Sequence, residues 1–331
     1  MKIMNFLKRL KEISNLWNCF RSILYIEKIR NSSQFYNSRL LGEIIRETHG
    51  IEKGLSLENV RLGFGISKFT ESRHLLGQYR DNDGNMRSEP LLMYVDAIKS
   101  YLEFHKEKQF SNDVIKRVEQ DYEKLNIEIG KRDSVYGGIK KVNRITYEDK
   151  EKELLSSIFT NRHSIREFDH TPVNMNNLTS AIKLAMNCPS ACNRQCQRLY
   201  IIDKKDFKSL NNSFEGTGGF AEDLDKILFI TGSMSSYRDY EIFQWIVTGS
   251  IFAAYLSLAL EIYSIGSCFI QRPLLPNKQW GKISSIIGAP KDEQLICCMG
   301  IGNLKESYNV PVSHRLSYDT IVSYVDLTKK K

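Results

Sequence analysis

Apolar residues recur at Ile3, Phe6, Leu7, Leu10, Ile13, Leu16 and Trp17, three and four apart with basic residues between them. That spacing predicts an amphipathic helix over the first thirty residues. Such a helix at the end of a globular chain packs on its own protein or lies on an anionic membrane surface. The expectation here is the first, with membrane-surface contact through residues 1–30 as the alternative. Helical spacing continues from 37 to 131: Leu92, Val95, Ile98 and Leu102 mark one face over 91–107, and Val118, Tyr122, Leu125 and Ile129 mark another over 114–129. Residues 77–89 are polar and rich in Asp, Asn and Gly, which predicts a loop. In the stretch 48–65, Gly50, Gly54, Gly63 and Gly65 interrupt a helical pattern beside His49, Glu52 and Lys53. Close glycines permit tight backbone approach or positive φ, so this stretch is read as a tight connection between helices, with a site lined by those charges as the alternative.

Gly137 and Gly138 among Lys140, Lys141 and Arg144 mark a linker over 131–149. The chain therefore divides into a helical region, 1–149, and a second domain, 150–331. In the second domain the pattern alternates. Residues 152–161 read as a helix, and 175–187 as another in which Leu178, Ala181, Ile182, Ala185 and Met186 form a stripe; Asn174 caps its start and Val173 staples onto Leu178. Residues 198–203, 226–231, 267–271 and 294–301 are apolar runs of strand length. Residues 241–263 are apolar all round and predict a buried central helix, where Gly249, Ala253 and Ser257 admit a neighbouring backbone. Helices packed on a sheet follow; strand order does not.

Composition narrows the classes. A chain of 331 residues with 41% hydrophobic content buries a real core. The balance of 47 Lys and Arg against 39 Asp and Glu, net +8, favours anionic small partners, but the bases are scattered among acids, which argues against nucleic acid. Seven cysteines, several in apolar segments, and a start that breaks its apolar run with Lys8, Arg9 and Lys11 lead to the expectation of a reducing, cytoplasmic setting. The apolar run 245–260 is short for a membrane span and contains Thr248, Gly249, Ser250 and Ser257.

Two segments carry candidate chemistry. In residues 161–168, Arg162, Ser164 and Arg166 alternate, so an extended backbone presents two guanidiniums and a hydroxyl on one side, a group suited to a phosphate and an electron-rich ring. In residues 187–203, a helix stopped by Pro189 gives way to a polar loop with Ser190, Asn193 and Gln195 and then a strand; amide side chains there both donate to and accept from a heterocycle edge. Cys188, Cys192 and Cys196 fall four apart, but Pro189 argues against the helix that would align them as metal ligands. Cys192 remains a candidate redox thiol.

Together these segments resemble the nitroreductase family, which pairs an R-x-S-x-R-x-F motif with a P-S-x-x-N-x-Q loop one helix later: here Arg162, Ser164, Arg166 and Phe168, then Pro189, Ser190, Asn193 and Gln195. Residues 265–271 resemble the family's glycine-containing turn into a strand, 296–306 its strand ending in a glycine-rich turn, and 313–322 the place of a second phosphate-contacting base, Arg315. The resemblance implies an α+β, nitroreductase-like three-layer fold with helices around a central mixed sheet, and a homodimer with FMN at its interface. By position it implies that Arg162, Ser164 and Arg315 hold the FMN phosphate and that Arg166 faces the pyrimidine side of the flavin. Ser190 and Asn193 touch the ring or ribityl chain, and backbone near Gly266 and Ser267 faces N5; Pro189, Gln195 and His163 belong to the same motifs. It further implies ping-pong hydride transfer from NADH or NADPH through flavin N5 to a small-molecule acceptor, nitro, quinone or other, with no protein nucleophile. Asn211, Asn212, Gly216, Gly218 and Gly219 occupy the interval where the family supplies further ring contacts, but do not align residue by residue. The alternative is a flavin-binding accessory or peripheral-membrane interaction protein, in surface-glycan synthesis for instance.

Overall fold

The computed structural model describes residues 2–213, 219–270 and 278–327, without the side chains of 2–10, 208, 209, 211–213, 278 and 279. Ten helices and four strands are among them. Helices α1 (Lys2–Arg30), α2 (Tyr36–Leu55), α3 (Ile66–Asp81), α4 (Glu89–Glu107) and α5 (Asp113–Ile129) form the helical region. Irregular backbone over 130–148 leads to α6 (Asp149–Asn161), α7 (Met175–Ala185), β1 (Gln197–Asp203), β2 (Lys226–Ser233), α8 (Gln244–Ile262), β3 (Ile265–Ile270), α9 (Lys278–Ile287), β4 (Glu293–Asn303) and α10 (Tyr318–Ile321).

The strands form one sheet in the order β1-β2-β4-β3, antiparallel at every pairing. One isolated parallel bridge outside these strands, Ser164 to Ser267, lays the extended backbone after α6 against β3. Alternation along β2 and β4 divides their side chains between two cores. Leu228, Ile230, Met299 and Ile301 pack with Leu178, Phe252, Leu256 and Leu260 of α7 and α8. Ile227, Phe229, Leu295 and Cys298 pack on the opposite face with Ile165, Phe168, Trp280 and Ile283. The result is a three-layer, α+β arrangement. A third core, built from Leu40, Ile44, Ile51, Phe69, Leu91, Tyr101, Val118 and Leu125, holds α2 to α5 together.

Local chemistry explains the element ends. The Asn174 side chain accepts from the backbone N–H groups of Asn176 and Asn177, and Val173 is buried beside Leu178. Gly65 caps α3 with φ +81° and Gly63 stands at φ +66°, so these two glycines of the 48–65 stretch shape a connection, whereas Gly50 and Gly54 lie inside α2.

Two expectations are corrected by the burial pattern. The apolar helix α8 is covered on one side only: Trp245, Phe252 and Leu256 are buried, while Val247, Tyr255 and Ile262 face outward. It is the one helix among the described residues long and apolar enough to cross a membrane, and half of it is buried against α7 and the sheet. Among the described side chains of α1, the apolar Ile13, Leu16, Trp17 and Phe20 are exposed and do not pack on their own protein either.

The helical region is fastened to the rest through the end of α1 and the start of α2. Ile26, Ile29 and Phe35 sit in the core beneath α8. Arg30, 2% exposed, donates to the Tyr237 carbonyl at 2.9 Å and to Asp239 at 2.9 Å. Arg238 reaches back to Glu43 of α2 at 2.6 Å. At Gly42 any Cβ would lie 2.7 Å from the Ser236 carbonyl oxygen, so only glycine allows α2 this close to the turn after β2.

Candidate active site

The motif at 161–168 is stitched onto the sheet at two points. The Ile165 N–H donates to the Ser267 carbonyl at 2.9 Å, making the parallel bridge at Ser164, and the Asp169 N–H donates to the Asn303 carbonyl at 2.9 Å. Between them Phe168, fully buried, lies over two paired glycines, Gly266 at the start of β3 and Gly302 at the end of β4. A Cβ on Gly266 would meet its ring at 3.1 Å and one on Gly302 at 2.8 Å. The apolar end of the motif therefore anchors it, and the bulk of Phe168 explains why both strands carry glycine there.

Anchoring of Ile165 and Phe168 turns the remaining side chains outward. Ser164 is half-buried at the β3 edge beside Gly266 and Ser267, Arg162 is half-buried and Arg166 exposed. Neither guanidinium has a carboxylate within ion-pair distance among the described residues; Arg166 donates only to the Ser164 carbonyl, at 3.3 Å. Their field is felt nearby. Burial pushes the Cys268 thiol up, and the charges of Arg166 and Arg162 partly offset it; burial likewise raises Glu261, partly offset by His163 and Arg162.

The second loop is held by strain and by a buried cation. Cys192, Asn193 and Gln195 all have positive φ, at 52°, 56° and 48°, a left-handed geometry that costs non-glycine residues about 1–3 kcal/mol each. The Ser190 Oγ accepts from the Gln195 N–H at 3.1 Å, and the Gln195 amide donates to the Asn193 side chain at 3.2 Å. Ser190 and Asn193 are thus half-exposed and fixed in place, while Pro189 and Gln195 are exposed. Arg194 points the other way. Its side chain is fully buried, with one nitrogen 2.6 Å from Glu241 and its guanidinium 4.7 Å above the Tyr237 ring. Its Nε and other terminal nitrogen are buried without a partner. No sequence signal marked Arg194 or Glu241, because partners 47 residues apart leave no local pattern.

The three cysteines of this segment share no helix face. Cys188 and Cys196 are buried in the core under α8, and burial raises the Cys196 thiol to about 11, while Cys192 stands half-exposed on the strained turn. Arg315 lies on the exposed segment after β4 and donates to the Ser313 carbonyl at 2.7 Å. No described contact joins it to Arg162 or Ser164. Gly216, Gly218 and Gln271 lie outside the described residues, as do the side chains of Asn211 and Asn212; Gly219 has φ +86°.

What the 161–168 segment offers chemically is an anion site of two guanidiniums and a hydroxyl at the β3 edge; the polar 190–195 loop enters β1 at the opposite edge of the sheet, so one chain does not bring the two segments together. Residues 159–229 match the model of the Nitroreductase family. No curated protein matches the chain. Among solved structures, it is similar to an FMN-dependent nitroreductase from Clostridium difficile R20291, with 23% identity over 51% of this chain and 98% of that one and a TM-score of 0.43. A nitroreductase with bound FMN from Bacteroides fragilis NCTC 9343 shows 11% identity over 52% and 98%, TM-score 0.43. A nitroreductase-like family protein from Bacillus cereus shows 12% identity over 56% and 100%, TM-score 0.45. The motif residues and the matched family model converge on residues 159–229, which are similar to the Nitroreductase family.

Proposed function

We propose that the chain is an FMN-dependent oxidoreductase that passes reducing equivalents from NADH or NADPH to a small-molecule acceptor. The observation that carries this reading is the pair of carboxylate-free guanidiniums, Arg162 and Arg166, fixed beside Ser164 on the β3 edge. A surface arginine is solvated or loosely paired with an acid; two on one anchored segment, neither within ion-pair distance of a carboxylate among the described residues, suit a bound dianion. The residues fit FMN. Arg162 and Ser164 hold the phosphate, Arg166 lies toward the pyrimidine side, and Ser190 and Asn193 hydrogen-bond the ring or ribityl chain. FMN, when bound, supplies the hydride chemistry, and the protein orients it and sets its potential. The backbone at Gly266 and Ser267 forms one fixed wall, and the strained 190–195 loop, at the opposite edge of the sheet, would serve the flavin of a second copy.

A homodimer completes this reading. Leu154 and Phe159 of α6, Val247 and Tyr255 of α8, and Leu316, Ile321 and Tyr324 near the C-terminus are exposed apolar side chains of the same half, more than a monomer commonly leaves open. A second copy covering them brings another C-terminal segment, with its basic residue, toward the flavin. The buried free thiols suit a reducing, cytoplasmic setting.

The test is an anaerobic titration of purified, FMN-loaded protein with NADH and with NADPH. Bleaching of the flavin absorbance by one of them supports the enzyme. Flavin that binds and never bleaches with either supports an accessory role, and failure to bind FMN removes the reading.

A further inference from the structure

Helix α1 has two apolar faces, and only one of them belongs to its own protein. Ser22, Ile26, Ile29 and Arg30 are 7%, 2%, 8% and 2% exposed and fix one side of the last two turns in the body. Ile13, Trp17, Phe20 and Leu24 are 62%, 58%, 50% and 51% exposed. At about 100° per residue the two sets point roughly half a turn apart, so the docking of Ile26 and Ile29 aims the aromatic stripe into solvent. The sequence continues the stripe's spacing back to Leu10, Phe6 and Ile3. Covering it with the chain's own body would require rotating α1 and pulling Arg30 out of its bonds to Tyr237 and Asp239.

Charge chooses the occupant. Over residues 2–25 the helix carries Lys2, Lys8, Arg9, Lys11 and Arg21 against Glu12 alone. A second copy of the helix on this face would set that net positive charge against itself. An anionic bilayer surface meets both features: the bases attract it, and Trp17, Phe20 and Leu24 sink into the headgroup boundary. We propose that the exposed face of α1 docks the protein flat on anionic phospholipid, with the body held at the surface through Arg30. The proposal is independent of the flavin reading.

The test uses full-length protein with vesicles of phosphatidylcholine, with and without added phosphatidylglycerol. Trp17 is exposed, while Trp245 and Trp280 are buried, so docking shifts tryptophan emission to the blue and carries protein into the vesicle pellet only when phosphatidylglycerol is present. Phe20→Glu weakens binding by at least about tenfold, and reversing Arg21 to Glu weakens it about fivefold. These side chains are exposed, so circular dichroism and thermal unfolding of the variants remain those of the parent. Absence of binding to the anionic vesicles overturns the proposal. So does a Phe20→Glu variant that binds them as well as the parent, and so does self-association that Phe20→Glu abolishes without any vesicle binding.

Discussion

Four arginines of the helical half and two of the C-terminal half live in opposite circumstances. In the first, Arg46, Arg73, Arg80 and Arg132 each meet a carboxylate: Glu43 at 3.0 Å, Asp121 at 2.5 Å, Glu128 at 2.7 Å and Asp96 at 3.0 Å. In the second, Arg162 and Arg166 meet none within ion-pair distance among the described residues, although the segment that carries them is anchored to β3. A paired cation is satisfied by its own fold; an unpaired one on rigid backbone is free to bind something else. Arg194 stands between the two cases, in the second half but buried and paired to Glu241.

That contrast breaks most sharply at Arg194. Glu241→Ala leaves a fully buried guanidinium with no anion, and we expect it to destabilise the fold by about 3–5 kcal/mol, read as a lower urea midpoint. The 190–195 loop loosens with it. A loss below about 1 kcal/mol would mean that Arg194 finds water or another acceptor and is not structural.

Next in size is Arg162→Ala. We expect FMN affinity to fall by about 10–100-fold, the loss of a charge-assisted hydrogen bond to phosphate, with the urea midpoint unmoved because no internal ion pair is broken. Fluorescence titration of apoprotein with FMN measures the first and denaturation the second. A variant that loses stability but keeps FMN would reverse the assignment of Arg162.

A third effect lies at the joint between the halves. Burial works against charge on Glu43, but the hydrogen bond from Arg238 and the nearby charges of Arg46, Arg238 and Arg194 outweigh it and hold the carboxyl below its ordinary value. A depressed folded pKa gives stability that is present above the unfolded-state pKa and lost as pH falls through the folded one. Lowering pH below the ordinary carboxylate range therefore weakens the joint, and Glu43→Gln, costing about 1–2 kcal/mol at neutral pH, flattens that acid limb of the stability profile.

How far these features could be read from sequence depends on whether their partners are local. The helices and strands were legible because periods of 3.6 and 2 are written in neighbouring residues; the Asn174 cap and Val173 staple lie within four positions of the residues they serve. Arg162, Ser164 and Arg166 were legible as an alternating trio, and the structure sets Ser164 against Ser267. The strain at Cys192, Asn193 and Gln195 was not, since none is glycine and only the folded loop holds them at positive φ. The burial of Arg194 and the outward turn of α1 depend on Glu241 and Tyr237, far along the chain, and no window of sequence contains both sides of either contact. The half-covered state of α8 was missed because composition reports what a helix tolerates and not how many neighbours it has.

The smallest effect tests the paired side of the contrast. Arg80 and Glu128 join α3 to α5 in a forked pair at 3.2 and 2.7 Å, with side chains 49% and 34% exposed. Solvent screens such a pair and its ordering entropy offsets much of the attraction, so Arg80→Ala should shift stability by no more than about 0.5–1 kcal/mol and leave FMN affinity untouched. Added salt should shrink even that difference, because an exposed pair is within reach of counterions. The measurement is the urea midpoint of Arg80→Ala against the parent at low and high salt. A loss as large as that of Glu241→Ala, or one indifferent to salt, would show that pairing alone, and not burial, decides which arginines hold this fold together.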